Sequence, residues 1–166
     1  MVQRYPERFA RYNAWANARL YDACANLSGA EYRGERPSFF GSIHNTLNHL
    51  LVVDRIWLGR IEGDPPAGLR LDTELESDFE ALWAVRRQED ERIIRLVDSL
   101  GPAGVEKVVR YDSSSGVRED TVGGVLQHLF NHQTHHRGQV HDMLSQTGVA
   151  PPALDLLYYR REREEA

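Results

Sequence analysis

The sequence lacks the features that mark several classes of protein. It has a single cysteine, Cys24, so no disulfide can form within the chain, and a reducing cytoplasm is the expected compartment. No uninterrupted apolar run reaches the length of about 20 residues that a membrane span requires. The N-terminal stretch is charged and has no apolar core of the kind found in signal peptides. These absences predict a cytoplasmic protein that does not bind membranes.

A basic surface is missing as well. The net charge is −5 and the sequence pI is about 5.8, whereas a protein that binds nucleic acid normally carries a cationic face. The sequence has no P-loop, no GxGxxG and no GxSxG, so nothing indicates a nucleotide-binding protein or a serine hydrolase. We therefore expect no nucleic-acid partner.

Helical periodicity dominates the chain, whose 166 residues suit one domain spanning residues 1–166. Amphipathic helices are predicted over Pro6–Asn26, Ser42–Ile61 and Thr73–Leu100. A fourth is predicted to begin at a cap, Asp120 or Thr121, and to end at Thr147. Residues Val105–Arg118 are strand-like and rich in turn residues, which indicates a small hairpin or an extended crossover. The predicted fold is an all-α four-helix bundle with a long crossover between its third and fourth helices.

Local signals predict further details. Residues 30–40 should form a polar loop, and a capping box made by Thr73 and Glu76 should start the third helix. The charged run at residues 86–92 is typical of an exposed helix face. Cys24 is expected to be a half-buried structural residue, because nothing near it in the sequence would lower the pKa of its thiol.

The segment Val122–Leu144 carries five of the seven histidines. At about 100° per residue, His136 lies within roughly 30° of the middle of the apolar stripe and His132 within about 70°. The remaining histidines, His128, His135 and His141, fall further round, toward solvent. His132 and His136 are thus one helical turn apart and face the core. An inward pair of this kind needs polar partners or a metal ion.

The second helix supplies a third candidate ligand. His49 flanks its apolar stripe, whereas His44 projects from the polar side and is expected to be solvated. Facing helices of a bundle build metal sites, so His49, His132 and His136 are predicted to meet. Three imidazoles suit zinc or nickel and leave a coordination position open. Further residues that could line the cavity are His128, Asn45 (a candidate hydrogen-bond partner of His49) and Tyr12.

Two other metal motifs are absent. Gln133 stands where the HExxH motif of zinc proteases has its glutamate, and no Glu-x-x-His of the di-iron type occurs. The alternative to a metal site is a metal-free core in which the histidines hydrogen-bond to one another.

Three stretches resemble the DinB family of metal-binding proteins, which is distinct from the DNA polymerase of that name: YNAWAN, SIHNTLNHLLVVDRIWL and HLFNHQTHHRGQVHDML. The resemblance covers nearly the whole chain. It implies a four-helix bundle, frequently a homodimer, with a divalent ion held by His49, His132 and His136. Related bundles include thiol-dependent S-transferases and a mycothiol-dependent isomerase, in which the metal activates a low-molecular-weight thiol.

Pattern and resemblance together lead to one principal hypothesis. The protein is expected to be a metalloenzyme that carries out thiol transfer or hydrolysis on a small molecule at an open three-histidine site. The alternatives are a metal-braced dimeric bundle or small-molecule binding module without catalysis, and a metal-free structural bundle.

Overall fold

The computed structural model describes residues 5–113 and 115–164, and this part of the chain is mostly helical. Its elements are α1 (Tyr5–Cys24), α2 (Gly29–Arg33), α3 (Ile43–Glu62), α4 (Phe79–Val105), β1 (Val108–Ser113), β2 (Gly116–Thr121), α5 (Val122–Ser145) and α6 (Leu156–Glu164). The two strands pair antiparallel, with Val108 opposite Thr121. Of the two structures predicted for Val105–Arg118, the hairpin is the one that forms, and it lies three residues further along the chain, at residues 108–121.

The four long helices α1, α3, α4 and α5 pack against one another. One apolar cluster lies toward the N-terminal end of α3 and includes Leu20, Leu47, Leu51 and Val140. A second lies toward the other end of α3 and includes Leu58, Ile93, Leu126 and Leu129. None of the described helices is long and apolar enough to cross a membrane.

The ends of α3 and the start of α5 follow the sequence signals. The hydroxyl of Ser42 accepts a hydrogen bond from the amide of Asn45 at 3.1 Å, and Thr121 caps α5 in the same way. Gly63 ends α3 in the left-handed region, at φ 82°, which a residue with a side chain rarely adopts. In α4, Gly101 has non-helical backbone angles just before Pro102, so the predicted stop appears as a break within the element.

Two local predictions were wrong. α4 begins at Phe79, where the carboxylate of Asp78 accepts from the amide of Ala81 at 2.9 Å, and not at the Thr73 capping box. A capping box does form in the chain, between Ser28 and Glu31. It starts the short helix α2 inside the stretch that was predicted to be a loop.

The charged run at residues 86–92 is not an exposed face throughout. Arg86 is 1% exposed, and Glu89 and Asp90 are also buried. Nη1 of Arg86 donates to Oδ2 of Asp54 at 2.6 Å, and its Nη2 lies 3.0 Å from Oδ1 of Asp90. Burial alone would lower the pKa of Arg86, but these two carboxylates raise it above its ordinary value. Helical periodicity predicts that residues 79–100 are helical, but it cannot show that this partly charged face of α4 packs against charged residues of another helix.

The side chains around this ion pair form one buried polar network, which comprises Asn13, Asn17, Asp54, Arg86, Asp90, Gln133 and Arg137. Its members come from all four long helices. Asp54 accepts from Arg86 and also from Gln133, the latter at 2.6 Å. Gln133 and Arg137 directly follow His132 and His136 in the sequence, so the network fixes the rotation of α5 about its own axis.

Cys24 is buried more deeply than expected, among apolar residues. Burial raises the pKa of its thiol to about 12, so the thiol is protonated at pH 8 and the nucleophilic thiolate is scarce. We expect a thiol-reactive disulfide reagent to modify Cys24 at pH 8 only slowly in the folded protein and rapidly in concentrated urea. The absorbance of the released chromophore measures both rates. Equal rates in the two conditions would contradict this burial.

Candidate metal centre

Three histidines from two helices meet inside the fold. One ring nitrogen from each of His49, His132 and His136 lies within 4.8 Å of the other two. Nε2 of His49 and Nε2 of His132 are 3.1 Å apart, and the ring centroids of His132 and His136 are 4.3 Å apart. The structure thus brings together the three residues that the sequence predicted to be ligands.

Hydrogen bonds on the far side of two rings determine which nitrogens face inward. Nδ1 of His49 lies 2.8 Å from the carbonyl oxygen of Leu71. A carbonyl oxygen can only accept, so Nδ1 carries the hydrogen and Nε2 keeps its lone pair. Nδ1 of His136 lies 2.7 Å from Oε1 of Gln139, which orients that ring in the same way. Both rings therefore have the tautomer of a histidine that binds metal through Nε2.

The third ring, His132, stays neutral. Burial lowers its pKa to about 3, assisted by the positive charge that its neighbours His136 and His49 would carry if protonated. Burial likewise lowers the pKa values of His49 and His136. Neutral imidazole is the form that ligates metal ions. Nδ1 of His132 is buried without a hydrogen-bond partner, so Nε2 is the nitrogen of this ring with polar surroundings.

The donor set could hold a divalent ion. Two nitrogens on one tetrahedral zinc ion, each about 2.0–2.1 Å from it, lie about 3.3 Å apart. The 3.1 Å between Nε2 of His49 and Nε2 of His132 is close to that separation. A hydrogen bond between these two atoms would engage one pair and leave the lone pair of His136 unused. A single ion would engage all three.

Aromatic side chains cover one side of the three histidines. The ring of Phe40 stacks on His49 with centroids 4.0 Å apart and lies 5.5 Å from the ring of His136. Its neighbour Phe39 is 86% exposed. Both line a cleft of about 250 Å³ whose other walls are Asn45, Asn48, Asp72, Thr73 and Glu74. Phe40 therefore stands between this cleft and the histidines.

The remaining candidates lie around the cluster or away from it. His128 and His135 are exposed, as predicted, with ring centroids 5.9 Å from His132 and 4.8 Å from His136 respectively. Asn45 donates to the carbonyl of Phe40 and not to His49. Tyr12 donates to the carbonyl of Leu154 and lines a different cleft, beside α6, so it does not line this site.

The prediction that His44 is solvated was wrong. It is 2% exposed; its Nε2 lies 2.6 Å from Oε1 of Glu74, and its Nδ1 lies 3.1 Å from the hydroxyl of Tyr32. The segment that follows α3 covers the polar side of the helix. The periodicity of one helix cannot predict that another part of the chain will bury its polar face. Asn48, which also contacts that segment, was missed for the same reason.

Comparisons with known proteins agree with the fold and with the sequence motifs. The family model described as the DinB family matches residues 1–165. The chain is 30% identical over 155 residues to Protein DinB of Bacillus subtilis (strain 168), covering 89% of each protein. A crystal structure of a DinB-like protein from Bacillus cereus ATCC 10987 superimposes with a TM-score of 0.68 at 16% identity, covering 87% of this chain and 94% of that one. The chain therefore belongs to the DinB family.

Proposed function

We propose that this protein is a four-helix bundle that binds one divalent ion, zinc or nickel, through His49, His132 and His136, and that it is a metalloenzyme. The observation that carries the proposal is the meeting of three neutral imidazoles at one point. Among the described residues, no carboxylate or thiol belongs to this group of potential ligands. A three-histidine set of this kind is typical of reactive sites rather than closed structural ones.

Such an ion supplies Lewis acidity, which lowers the pKa of a thiol or water molecule in its open position. The protein's own residues orient and shield the site. The carbonyl of Leu71 and the amide of Gln139 hold two of the rings, while Phe40 excludes water from one side. The cleft beyond Phe40 has room for a small molecule.

The proposed substrate is a small molecule, and the proposed chemistry is transfer of a low-molecular-weight thiol or hydrolysis. An open metal position suits both, because a thiolate and an activated water are alternative occupants of it. The family resemblance favours the thiol. It also favours a homodimer, which sedimentation of the metal-loaded protein would detect.

The test combines metal content with a substrate panel. We expect about one zinc or nickel ion per chain after thorough desalting. We also expect turnover when glutathione, bacillithiol or mycothiol is offered with a set of electrophilic acceptors, or when simple esters and amides are offered alone. Both signals should disappear in His132→Ala. Bound metal without turnover across the whole panel would contradict the enzymatic part of the proposal.

A second candidate function follows from where the ligands lie. His49 belongs to α3 and the other two histidines to α5, so an ion held by all three would brace two long helices. A non-enzymatic, metal-braced module is the function that this arrangement would then serve. It predicts a large fall in melting temperature on chelation together with catalytic silence.

A further inference from the structure

The segment between α3 and α4, residues 63–78 (the return segment), lies back along α3. Three of its residues contact α3: Asp64 lies against Gly59, Leu71 against His49 and Glu74 against His44. Because the contacts on α3 come in reverse order, the return segment runs antiparallel to the helix. Its approach is close: a Cβ at Gly59 would lie 2.7 Å from the carbonyl oxygen of Asp64.

Asn48 holds the backbone of the return segment. This side chain is 2% exposed, and its Oδ1 accepts from the amides of Leu75 at 2.8 Å and Glu76 at 3.1 Å. Its Nδ2 donates to the carbonyl of Glu76 at 3.1 Å. The amide group of Asn48 therefore bonds at both ends to main-chain groups of two consecutive residues. Removing it would leave two backbone N–H groups without their acceptor.

The same segment carries the hydrogen-bond acceptor of His49. The side chain of Leu71 is largely exposed, so its packing does not hold the carbonyl in place. Leu71 lies in a tight turn. The amide of Arg70 donates to the hydroxyl of Thr73, and the amide of Thr73 donates to the carbonyl of Arg70, both at 3.0 Å. This turn connects Leu71 to the two residues that Asn48 holds by hydrogen bonds. Asn48 and His49 are neighbours on α3. Asn48 fixes the segment, and Nδ1 of His49 donates to the carbonyl oxygen that the segment carries.

We propose that Asn48 is a positioning residue for His49. Its hydrogen bonds to the backbone of Leu75 and Glu76 hold the return segment so that the carbonyl oxygen of Leu71 lies within hydrogen-bond distance of Nδ1 of His49. This contact selects the tautomer with the hydrogen on Nδ1 and leaves Nε2 free to bind an ion. The consequence for metal affinity rests on the proposed function. The consequence for the tautomer does not, because it concerns the metal-free protein.

The experiment compares the parent with Asn48→Ala, Asn48→Asp and the control Thr46→Val. The aspartate keeps an acceptor for both amides. The control removes a buried hydrogen bond of the same helix, from Thr46 to the carbonyl of Ser42, and leaves the return segment untouched. The tautomer of His49 is determined by nitrogen NMR on metal-free, histidine-labelled protein at neutral pH. Zinc affinity is determined by competition with a chelator.

We expect Asn48→Ala to replace the fixed Nδ1–H tautomer by a mixture and to weaken zinc binding by about 10- to 100-fold, the usual cost of losing an outer hydrogen-bond partner. Asn48→Asp should keep the tautomer and recover most of the affinity, and Thr46→Val should match the parent. If the alanine variant does not fold, Asn48→Ser replaces it, since a serine hydroxyl is too short to reach both amides.

Two outcomes would overturn the proposal. One is an unchanged His49 tautomer in Asn48→Ala. The other is an equal loss in Thr46→Val, which would make the effect one of general stability. A parent protein that binds neither zinc nor nickel would contradict the proposed function instead, and the tautomer measurement would still decide the role of Asn48.

Discussion

Replacing His132 with alanine should abolish tight metal binding while the protein stays folded. The side chain supplies one of three nitrogens within 4.8 Å of one another, and its neutral ring keeps a lone pair at pH 7. Loss of an outer hydrogen-bond partner lowers metal affinity about 10- to 100-fold, and loss of a direct ligand should lower it further. Isothermal titration with zinc, and metal analysis after desalting, measure the change.

His141→Ala is the matched control. It lies on the same helix, half-buried, and its Nε2 donates to the carbonyl of Pro152 on the other side of α5. This variant should bind zinc as the parent does. Equal metal content in His132→Ala and the parent would refute the three-histidine site, and a loss in both variants would point to damage of the helix.

Replacing Asp54 with alanine should destabilise the protein by about 3–5 kcal/mol, the cost of removing one partner from a buried ion pair. Asp54 is fully buried and accepts hydrogen bonds from both Arg86 and Gln133, so the variant leaves a buried guanidinium with Asp90 as its remaining carboxylate. Urea denaturation followed by circular dichroism measures the free energy of unfolding.

Glu91→Ala provides the comparison for this experiment. Its carboxylate pairs with Arg95 at 3.5 Å on the surface of α4, with side chains that are 70% and 69% exposed. Exposed pairs of this kind contribute about 0.2–1 kcal/mol, so the unfolding free energy should change little. Similar losses in the two variants would mean that the buried network contributes no more than a surface ion pair.

The sequence contains enough information for the long helices and for the three histidines, because both follow from periodicity. Spacing on α5 separates His132 and His136 from His128 and His135 on one helix. His49 lies at the flank of the apolar stripe of α3, so packing of α3 against α5 is enough to bring it to the other two histidines. These predictions depend only on the spacing of apolar residues within each helix, and the helices of the structure keep that spacing.

The errors share a different physical cause. His44 and Arg86 both lie on faces that look polar in the sequence, yet both are buried, because other parts of the chain cover them. Glu74 reaches His44 from the return segment, and Asp54 reaches Arg86 from another helix. Hydropathy treats a charged residue as solvated and carries no signal for a partner distant in sequence. Buried polar groups satisfied at long range are thus invisible to a single-helix argument.

Nε2 of His49 and Nε2 of His132 come from residues 83 positions apart in the chain. Closing so long a loop costs entropy that is recovered only once α3 and α5 have docked. During synthesis the ribosome releases His49 long before the other two histidines, so a growing chain offers at most one of the three donors until α5 emerges. An ion held by all three histidines would therefore be acquired late in maturation, on a chain whose helices are already assembled.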